Sequence, residues 1–489
     1  MAKSFFFNSI QYAFDSARRP FFIFITLILG SQTITNAQFV KEIIKNNRYQ
    51  IGAGAFLSTS ENLPFWLHAN QYGEVPLKSQ FLQLSGSVHH EYDSLYTKAG
   101  ELNKFGWGYG ARAVANVGKV NQFILSEGYL KARYSAFEIY AGRRKEIFGL
   151  VDTTLTSGSY IWSGNALPMP KIQISIPNYT SILKNGFISI KGGFAHGWFD
   201  KQRLYTSELK LHQKWLYFRL GKPSWKINFF AGGNHQAQWG GNSPFFSVDG
   251  KLPDGFQNYI HVVLGTRGAI TGVPESKDFD ANRIGNHLGS IDIAASIKLD
   301  QNELLLYRQS FYEDGSLFYL NNISDGLLGI SIKLGNQKLA LKKISVEYLN
   351  TANQGGQNFL LFSNSGEVVP PELRGADQYF NNAQIKDGWV NNNKTIGTPF
   401  ISVPNQETSI NNNRVKVWHL ALHADYKSLN LYIKNSLVMN LGTYSSPMLG
   451  KSRLASLIHI RKRIKRNDLL SINLSSNPTT NLSNTILGL

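Results

Sequence analysis

The stretch KINFFAGGNHQAQW, residues 226–239, shows most clearly how this chain folds. Apolar and polar residues alternate along it, with Phe229 and Trp239 in one set and Asn234 and Gln236 in the other. A period of two places the sets on opposite faces of a β-strand. The stretch is far longer than the soluble-strand mode of about 5–6 residues. It is long enough to cross a bilayer at a tilt, which takes about 9–11 residues.

The same alternation recurs along most of the chain. It predicts further strands at 49–57, 81–91, 108–118, 121–134, 186–196, 211–220, 288–299, 302–311, 326–334, 341–350, 418–426, 429–440, 454–461 and 468–475. In 121–134, Ile124 should share a face with Leu130, and Glu127 and Lys131 should share the other. Long segments of this kind fit a sheet that spans a membrane.

The polar faces of these strands decide between two all-β folds. A soluble secreted β-protein would place Lys and Glu on its water-facing side, whereas these faces are rich in Asn, Gln, Gly and Ser. Such residues suit a crowded, hydrated lumen. We therefore predict an all-β fold, a transmembrane antiparallel outer-membrane β-barrel of about 16–18 strands. The insertions 143–171, 240–287 and 351–413 would be its long outer loops.

Composition agrees with a large exported β-protein. The chain has 489 residues with 44 Gly and 13% aromatic residues, and only 17% are charged. It contains no cysteine, so stability must come from strand pairing and burial, without disulfides.

The N-terminal residues predict export. Lys3, Arg18 and Arg19 precede or flank an apolar core at 21–30, and small residues follow near Ala37. This is the pattern of a signal peptide, and the core is shorter than the roughly 20 residues that a spanning helix needs. We predict a signal peptide at 1–37, and an outer-membrane β-barrel domain at 38–489.

The segment 143–171 interrupts the strand pattern and is the first candidate for function. Sugar recognition uses aromatic faces, amides for hydroxyl groups, and arginine for carboxylates. The segment supplies all three, with Trp162 expected to be exposed. A structural plug loop would be built from similar residues, and that alternative stays open. The candidates for polysaccharide binding are Arg143, Arg144, Lys145, Trp162, Asn165 and Lys171, with Trp389 from a later motif.

The formal net charge of +18 indicates acidic partners. For an exported protein these are acidic capsular or extracellular polysaccharide and outer-membrane lipids, not nucleic acid. The basic run at 461–466 is also explained by a membrane-surface turn that meets lipid phosphates.

No catalytic signature occurs. The chain has neither a Gly-x-Ser-x-Gly elbow nor a His-Glu-x-x-His helix, and acidic pairs at ligand spacing are sparse. We predict no catalytic residue, no cofactor and no metal ion.

Several motifs together resemble the capsule assembly Wzi family, in a version typical of Bacteroidetes. They are Glu61–Trp66 with Asn70–Gly73, Ala141–Gly149, Ser157–Ser159, Trp162–Ala166, Pro168–Lys171, Tyr379–Asn382, Gly388–Trp389 and Ile396–Pro399. The motif residues are Pro64, Phe65, Trp66, Asn70, Gly73, Gly149, Asn381, Asn382, Gly388 and Pro399. The resemblance implies an outer-membrane β-barrel with a lectin-like, non-enzymatic role in holding polysaccharide at the cell surface.

We therefore expect a monomeric outer-membrane protein for surface attachment or assembly of capsular or exported polysaccharide. The alternative is an outer-membrane pore or a component of the export machinery. An enzyme that acts on lipid or glycan ranks third.

Overall fold

The structure is a computed structural model. It describes residues 47–92, 104–201, 203–266, 283–313, 316–336, 338, 340–357, 365–368, 375–404, 410–464, 468–477 and 479–480. The predicted signal peptide lies outside these residues.

The described chain contains two helices, α1 (Phe65–His68) and α2 (Phe256–Leu264), and twenty strands. The strands are β1 Asn47–Phe56, β2 Phe81–His90, β3 Phe105–Gly118, β4 Gln122–Tyr134, β5 Phe137–Arg143, β6 Lys171–Ser181, β7 Ile188–Trp198, β8 Lys210–Leu220, β9 Ile227–Trp239, β10 Asn286–Leu299, β11 Asn302–Tyr312, β12 Gly326–Lys333, β13 Leu341–Asn350, β14 Val390–Asn391, β15 Lys394–Thr395, β16 Val415–Tyr426, β17 Leu429–Gly442, β18 Pro447–Arg463, β19 Leu469–Ser476 and β20 Thr479–Thr480.

The strands form one large antiparallel sheet in chain order. From β2 to β13 each strand pairs with the next. β1 pairs with β2, and β13 pairs with β16 across a long connection that holds the small β14–β15 hairpin. The order then continues through β16, β17 and β18 to β19 and β20. This sequential pairing is the topology of an up-and-down barrel wall.

The two faces of the sheet differ as a membrane barrel requires. On β9, Phe229 is 57% exposed, whereas Gln236 and Gln238 on the other face are fully buried. The same holds on β10, where Ile293 is exposed and Asp292 is buried. Apolar side chains therefore cover the outer face and polar ones line the lumen.

Segments between strands lie inside this wall. The backbone N–H of Ser157 donates to Glu347 on β13, and the carbonyl of Leu155 accepts from His419 on β16. The first connection, 57–80, contacts strands from both the beginning and the end of the strand order. Its Glu74 pairs with Arg112 on β3, and its Trp66 ring lies 5.0 Å from the Lys434 ammonium on β17. Strands far apart in the order thus surround the same segments, so the sheet is a barrel with those segments in its lumen.

Because neighbouring strands are antiparallel, successive connections alternate between the two ends of the barrel. The long connections 57–80, 144–170, 199–209, 240–285, 313–325 and 351–414 all leave at one end, the long-loop end. The opposite end, the short-turn end, carries the connection 91–104 and the shorter ones 135–136, 182–187, 221–226, 300–301, 334–340, 427–428 and 464–468. In bacterial outer-membrane barrels short turns are periplasmic and long loops extracellular. The fold predicted from the sequence is confirmed.

The structure corrects the predicted strands in two places. Strands β5 and β6, which flank the segment at 144–170, were missed. The predicted faces of β4 were also partly wrong, because Ile124 is 4% exposed and faces inward while Leu130 is 58% exposed and faces outward. The register with β3 slips between Arg112 and Ala113, which leaves one extra residue, Ser126, on β4. A β-bulge of this kind moves the following side chains to the opposite face.

Within the described residues, neither helix has the length and apolar character needed to cross a membrane.

Candidate functional site

Three connections meet in the lumen and form what we call the plug: residues 57–80, 144–170 and 375–404. Asn165 joins them. Its side-chain oxygen accepts the backbone N–H of Asn70 at 3.1 Å, and its amide nitrogen donates to the carbonyl and hydroxyl of Thr395, both at 3.0 Å. Its own carbonyl accepts the N–H of Gly73 at 3.1 Å. One buried amide therefore bonds to all three segments.

An aromatic layer fills the plug around this junction. Tyr160 is fully buried and stacks on Phe311 of β11, with ring centroids 3.5 Å apart. Trp162 packs edge-on against Phe148, and its ring faces the ammonium of Lys171 at 4.8 Å. The expectation that Trp162 is exposed was wrong, because only 6% of it is accessible. Segment 144–170 thus forms part of the barrel's core.

Buried acidic side chains of the wall hold the plug by its backbone. Glu347 accepts the Ser157 N–H and the Thr156 hydroxyl, both at 2.6 Å. Asp292 accepts the Leu150 N–H at 2.9 Å. Hydrogen bonds from backbone N–H groups to carboxylates are stronger than those to neutral acceptors. The wall therefore fixes segment 144–170 at several strands.

The basic residues at the start of this segment pair with carboxylates of the protein itself. Arg144 donates to Glu138 at 2.6 Å and to Glu146 at 2.9 Å, and Lys171 donates to Glu146 at 2.8 Å. Lys145 pairs with Glu74 at 2.5 Å. Their positive charges thus stabilise the plug. Arg143, half-buried at the end of β5, interacts electrostatically with Asp200 but forms no salt bridge to a carboxylate among the described residues.

This ion network controls the pKa of Glu146. Burial alone raises the pKa of this carboxyl, but the neighbouring Lys171 and Arg144 outweigh it and lower the pKa to about 2. Glu146 is therefore a permanent anion of the plug near neutral pH.

A second cation of the plug is the half-buried Lys394. Lys394 donates to the carbonyls of His68 at 2.6 Å and Val75 at 3.0 Å. Burial lowers the pKa of Lys394 to about 8. Burial, together with the charges of Lys394 and Arg453, lowers the pKa of His68 to about 3. His68 is therefore neutral, and Lys394 ties the first segment to the third.

Two glycines of the predicted motifs occupy positions that only glycine fits. Gly149 has φ +115°, and a Cβ there would lie 2.0 Å from the Gln309 side chain. Gly388 has φ +63°, and a Cβ would lie 2.0 Å from the Phe380 carbonyl oxygen. The Gly388 carbonyl accepts from Gln238 of β9 at 2.9 Å. Both glycines allow close approach within the plug.

The remaining predicted motif residues also shape the plug. Phe65 of α1, which follows Pro64, stacks on Phe400 with centroids 5.0 Å apart. The Asn382 oxygen accepts two backbone N–H groups at 2.9 Å, and Asn381 donates to the Ile410 carbonyl at 3.2 Å. A Cβ at Gly158 would lie 3.2 Å from Pro399.

The structure brings the predicted site residues together, mainly inside the protein. Trp162, Asn165, Lys171 and Trp389 are buried, and Trp389 is fully so. Polymer binding by the seven candidates stays a prediction. Six of them, all except Arg143, make contacts or are buried within the barrel.

A surface patch that the sequence reading missed lies at the long-loop end. Lys386 lies 3.8 Å from the Phe245 ring centroid, and Tyr205 meets Phe245 edge-on at 5.8 Å. Phe246 is 42% exposed, and Gln384 donates to its carbonyl at 2.8 Å. We call Tyr205, Phe245, Phe246 and Lys386 the aromatic patch. Three different connections supply it, so no local sequence motif could have shown it.

Among the residues that the structure describes, no group of three or more His, Asp or Glu side chains is arranged to hold a metal ion.

Comparison with solved structures finds bacterial outer-membrane proteins at very low identity. The crystal structure of Pseudomonas aeruginosa OccD3 (OpdP) is 9% identical over 89% of this chain and 87% of that chain, with a TM-score of 0.39. Acinetobacter baumannii OccAB4 is 10% identical over 89% and 92%, with a TM-score of 0.40. These values are too low to support an inference. No curated protein matches the sequence at a significant level.

Comparison with protein families gives a stronger result. The family described as "Capsule assembly protein Wzi" matches residues 52–401, which include most of the wall, the first two plug segments and the third as far as residue 401. The match covers well over half of the 489 residues. The resemblance seen in the motifs is therefore confirmed, and the chain belongs to the Wzi family of capsule assembly proteins of the outer membrane.

Proposed function

We propose that the protein retains capsular or exported polysaccharide at the cell surface by non-covalent, lectin-like contacts, without catalysis. The aromatic patch is the observation that carries the proposal. Aromatic rings bind the C–H faces of sugars, and a nearby cation binds carboxylate groups. The patch combines Phe245 and Phe246 with Lys386 at the end of the barrel where long loops face the outside.

The plug supports this role because it gives the loops a rigid base. Ser243, just before the patch, donates to the Gln384 carbonyl at 2.5 Å, and Asp387 accepts the Thr206 N–H at 2.9 Å. The loops that supply the patch are therefore cross-linked to the third plug segment. A pre-organised surface loses less conformational entropy when it binds a ligand.

The repeating units of the polysaccharide supply the overall affinity. A polysaccharide presents the same unit many times, so modest contacts at several sites give strong overall retention. Arg414, 3.7 Å from the Tyr444 ring at the same end, is a second cation–aromatic pair available to such a polymer. In the proposal, Arg143 contributes charge near the surface, whereas Trp162, Asn165, Lys171 and Trp389 act by holding the loops.

The test compares two matched pairs of residues in a strain that makes capsule. Phe246→Ala with Lys386→Ala removes the exposed ring and the cation of the patch. Tyr426→Ala with Lys427→Ala removes a similar pair, 5.4 Å apart, at the short-turn end. Cell-bound and released polysaccharide are measured separately, together with the amount of folded protein in the outer membrane.

The first variant should release several-fold more polymer at unchanged total synthesis, and the control should retain as much as the unmodified protein. Unchanged retention in the first variant, with normal protein levels, would remove the patch from the mechanism. Equal release by both variants would show that retention does not depend on the long-loop end.

A further inference from the structure

Helix α2 lies on the outside of the barrel wall. On β9, Gln236 and Gln238 point into the lumen, where they donate to the carbonyls of Ile161 and Gly388. Ala237 and Trp239 therefore point outward, and they form a buried cluster with Val262 of α2. The ring of Tyr259 stacks on Trp239 with centroids 5.0 Å apart. The helix thus packs on the surface of the wall that faces the membrane.

Polar side chains of the outer wall lie beneath α2. His235 and His287 are hydrogen-bonded to each other at 2.8 Å, and His212 lies 3.4 Å from the Tyr259 hydroxyl. Lys214 donates to the Val263 carbonyl near the end of the helix. Three histidines and a lysine on an outward face would be costly against lipid. The helix covers them.

The other side of α2 is apolar and exposed. Phe256, Ile260 and Leu264 follow one another at intervals of four residues and are 79%, 45% and 64% exposed. A spacing of four places them on one face of the helix, opposite Val262. The wall beside the helix is apolar as well: Leu216 of β8 is 45% exposed and lies two residues from Lys214, which contacts α2.

We propose that α2 is an interfacial anchor that inserts Phe256, Ile260 and Leu264 among the acyl chains of the outer leaflet. Amphipathic helices bind membranes in this way, with the apolar face in the boundary between headgroups and acyl chains. A second copy of the chain is a poorer occupant, because three side chains offer far less than the roughly 800 Å² per partner of a stable interface. The helix covers polar side chains of the outer wall and presents an apolar face to the lipid in their place.

The absence of cysteine makes a direct test possible, because a single introduced cysteine is the only thiol. Phe256→Cys, Ile260→Cys and Leu264→Cys are each made in the full chain and labelled with a fluorophore. The proteins are reconstituted in phosphatidylcholine vesicles, with or without brominated acyl chains. The control is Phe246→Cys, which is 42% exposed in the same connection but lies over the plug. Heat-dependent gel mobility verifies that each barrel is folded.

Brominated lipid should quench the three α2 labels at least twofold more than the Phe246→Cys label, and aqueous iodide should show the reverse order. Equal iodide quenching at all four positions would overturn the proposal. Energy transfer between α2 labels that rises with protein density, without quenching by brominated lipid, would also overturn it and assign the face to a second copy.

Discussion

The side-chain amide of Asn165 donates to the backbone carbonyl of Thr395 at 3.0 Å, although 230 residues separate the two. The same side chain accepts from Asn70, so one amide determines how three connections meet. The plug thus depends on a few buried polar contacts in addition to its aromatic layer. Each of these contacts can be tested separately.

Asn165→Ala should loosen the plug while the wall stays folded. The substitution leaves the Asn70 N–H and the Thr395 carbonyl without their partner in a buried site. A buried polar group without a partner costs about 1–3 kcal/mol. Hydrogen exchange should therefore accelerate at the plug amides and remain slow in the strands. Asn185→Ala, in a short turn, is the control. Equal protection of the plug in both variants would contradict the proposed role of Asn165.

Deleting residues 150–166, most of the second plug segment, should open the lumen to ions. Residues 150–166 include Tyr160 and Ile161, which are fully buried among the wall and the other plug segments. A short Gly-Ser linker in their place removes that filling and leaves the strand pairing of β5 with β6 intact. We expect stable conductance in planar bilayers for the deletion and none for the unmodified protein. Stable channels in the unmodified protein would favour the pore alternative.

Asp325 should make the long-loop end sensitive to pH. Burial raises the pKa of this carboxyl to about 6 from an ordinary value of 3.8, although the N–H groups of Asn353 and Gln354 lower it in part. The folded state binds this proton more tightly, so its contribution to stability is complete below pH 3.8 and is lost as the pH rises to about 6. The shift corresponds to about 3 kcal/mol.

The measurement is hydrogen exchange at the Gln354 amide, corrected for the intrinsic pH dependence of exchange. The free energy of local opening at the Gln354 amide should fall by about 3 kcal/mol between pH 4 and 7 in the unmodified protein. Asp325→Asn should abolish the change, and Asp249→Asn, on an exposed loop, should leave it intact. A pH-independent opening energy in the unmodified protein would refute the assignment.

Gly388→Ala should destabilise the plug far more than Gly250→Ala. Both glycines have positive φ, +63° and +75°, so the backbone strain is similar. A Cβ at Gly388 meets the Phe380 carbonyl oxygen at 2.0 Å, whereas nothing lies within 4 Å of one at Gly250. The strain alone costs about 1 kcal/mol, and overpacking adds about 1–3 kcal/mol. Protease resistance of the long loops compares the two variants. Equal resistance would show that the plug accommodates the methyl group.

The local alternation of apolar and polar residues determined the strands that form the wall of this barrel. The alternation in 226–239 is produced by pleating, which places every second side chain on the same face, so it predicts both the strand and its lumen face. That logic failed at Ile124, because a single extra residue in β4 reverses the faces and leaves no mark in the alternation that precedes it. The family resemblance likewise came from local motifs, most of whose residues lie in the plug.

Tertiary structure alone decided what those motifs do. The sequence by itself showed that 143–171 breaks the strand pattern and contains Arg, Trp and Asn, and it left open whether they face a ligand or a plug. Contacts such as Asn165 with Thr395, and Lys386 with Phe245, join residues from different connections. No local period encodes them, because they arise only when the wall closes and brings the connections together. Burial of Trp162 and exposure of Phe246 therefore follow from the barrel, not from the residues beside them in the chain.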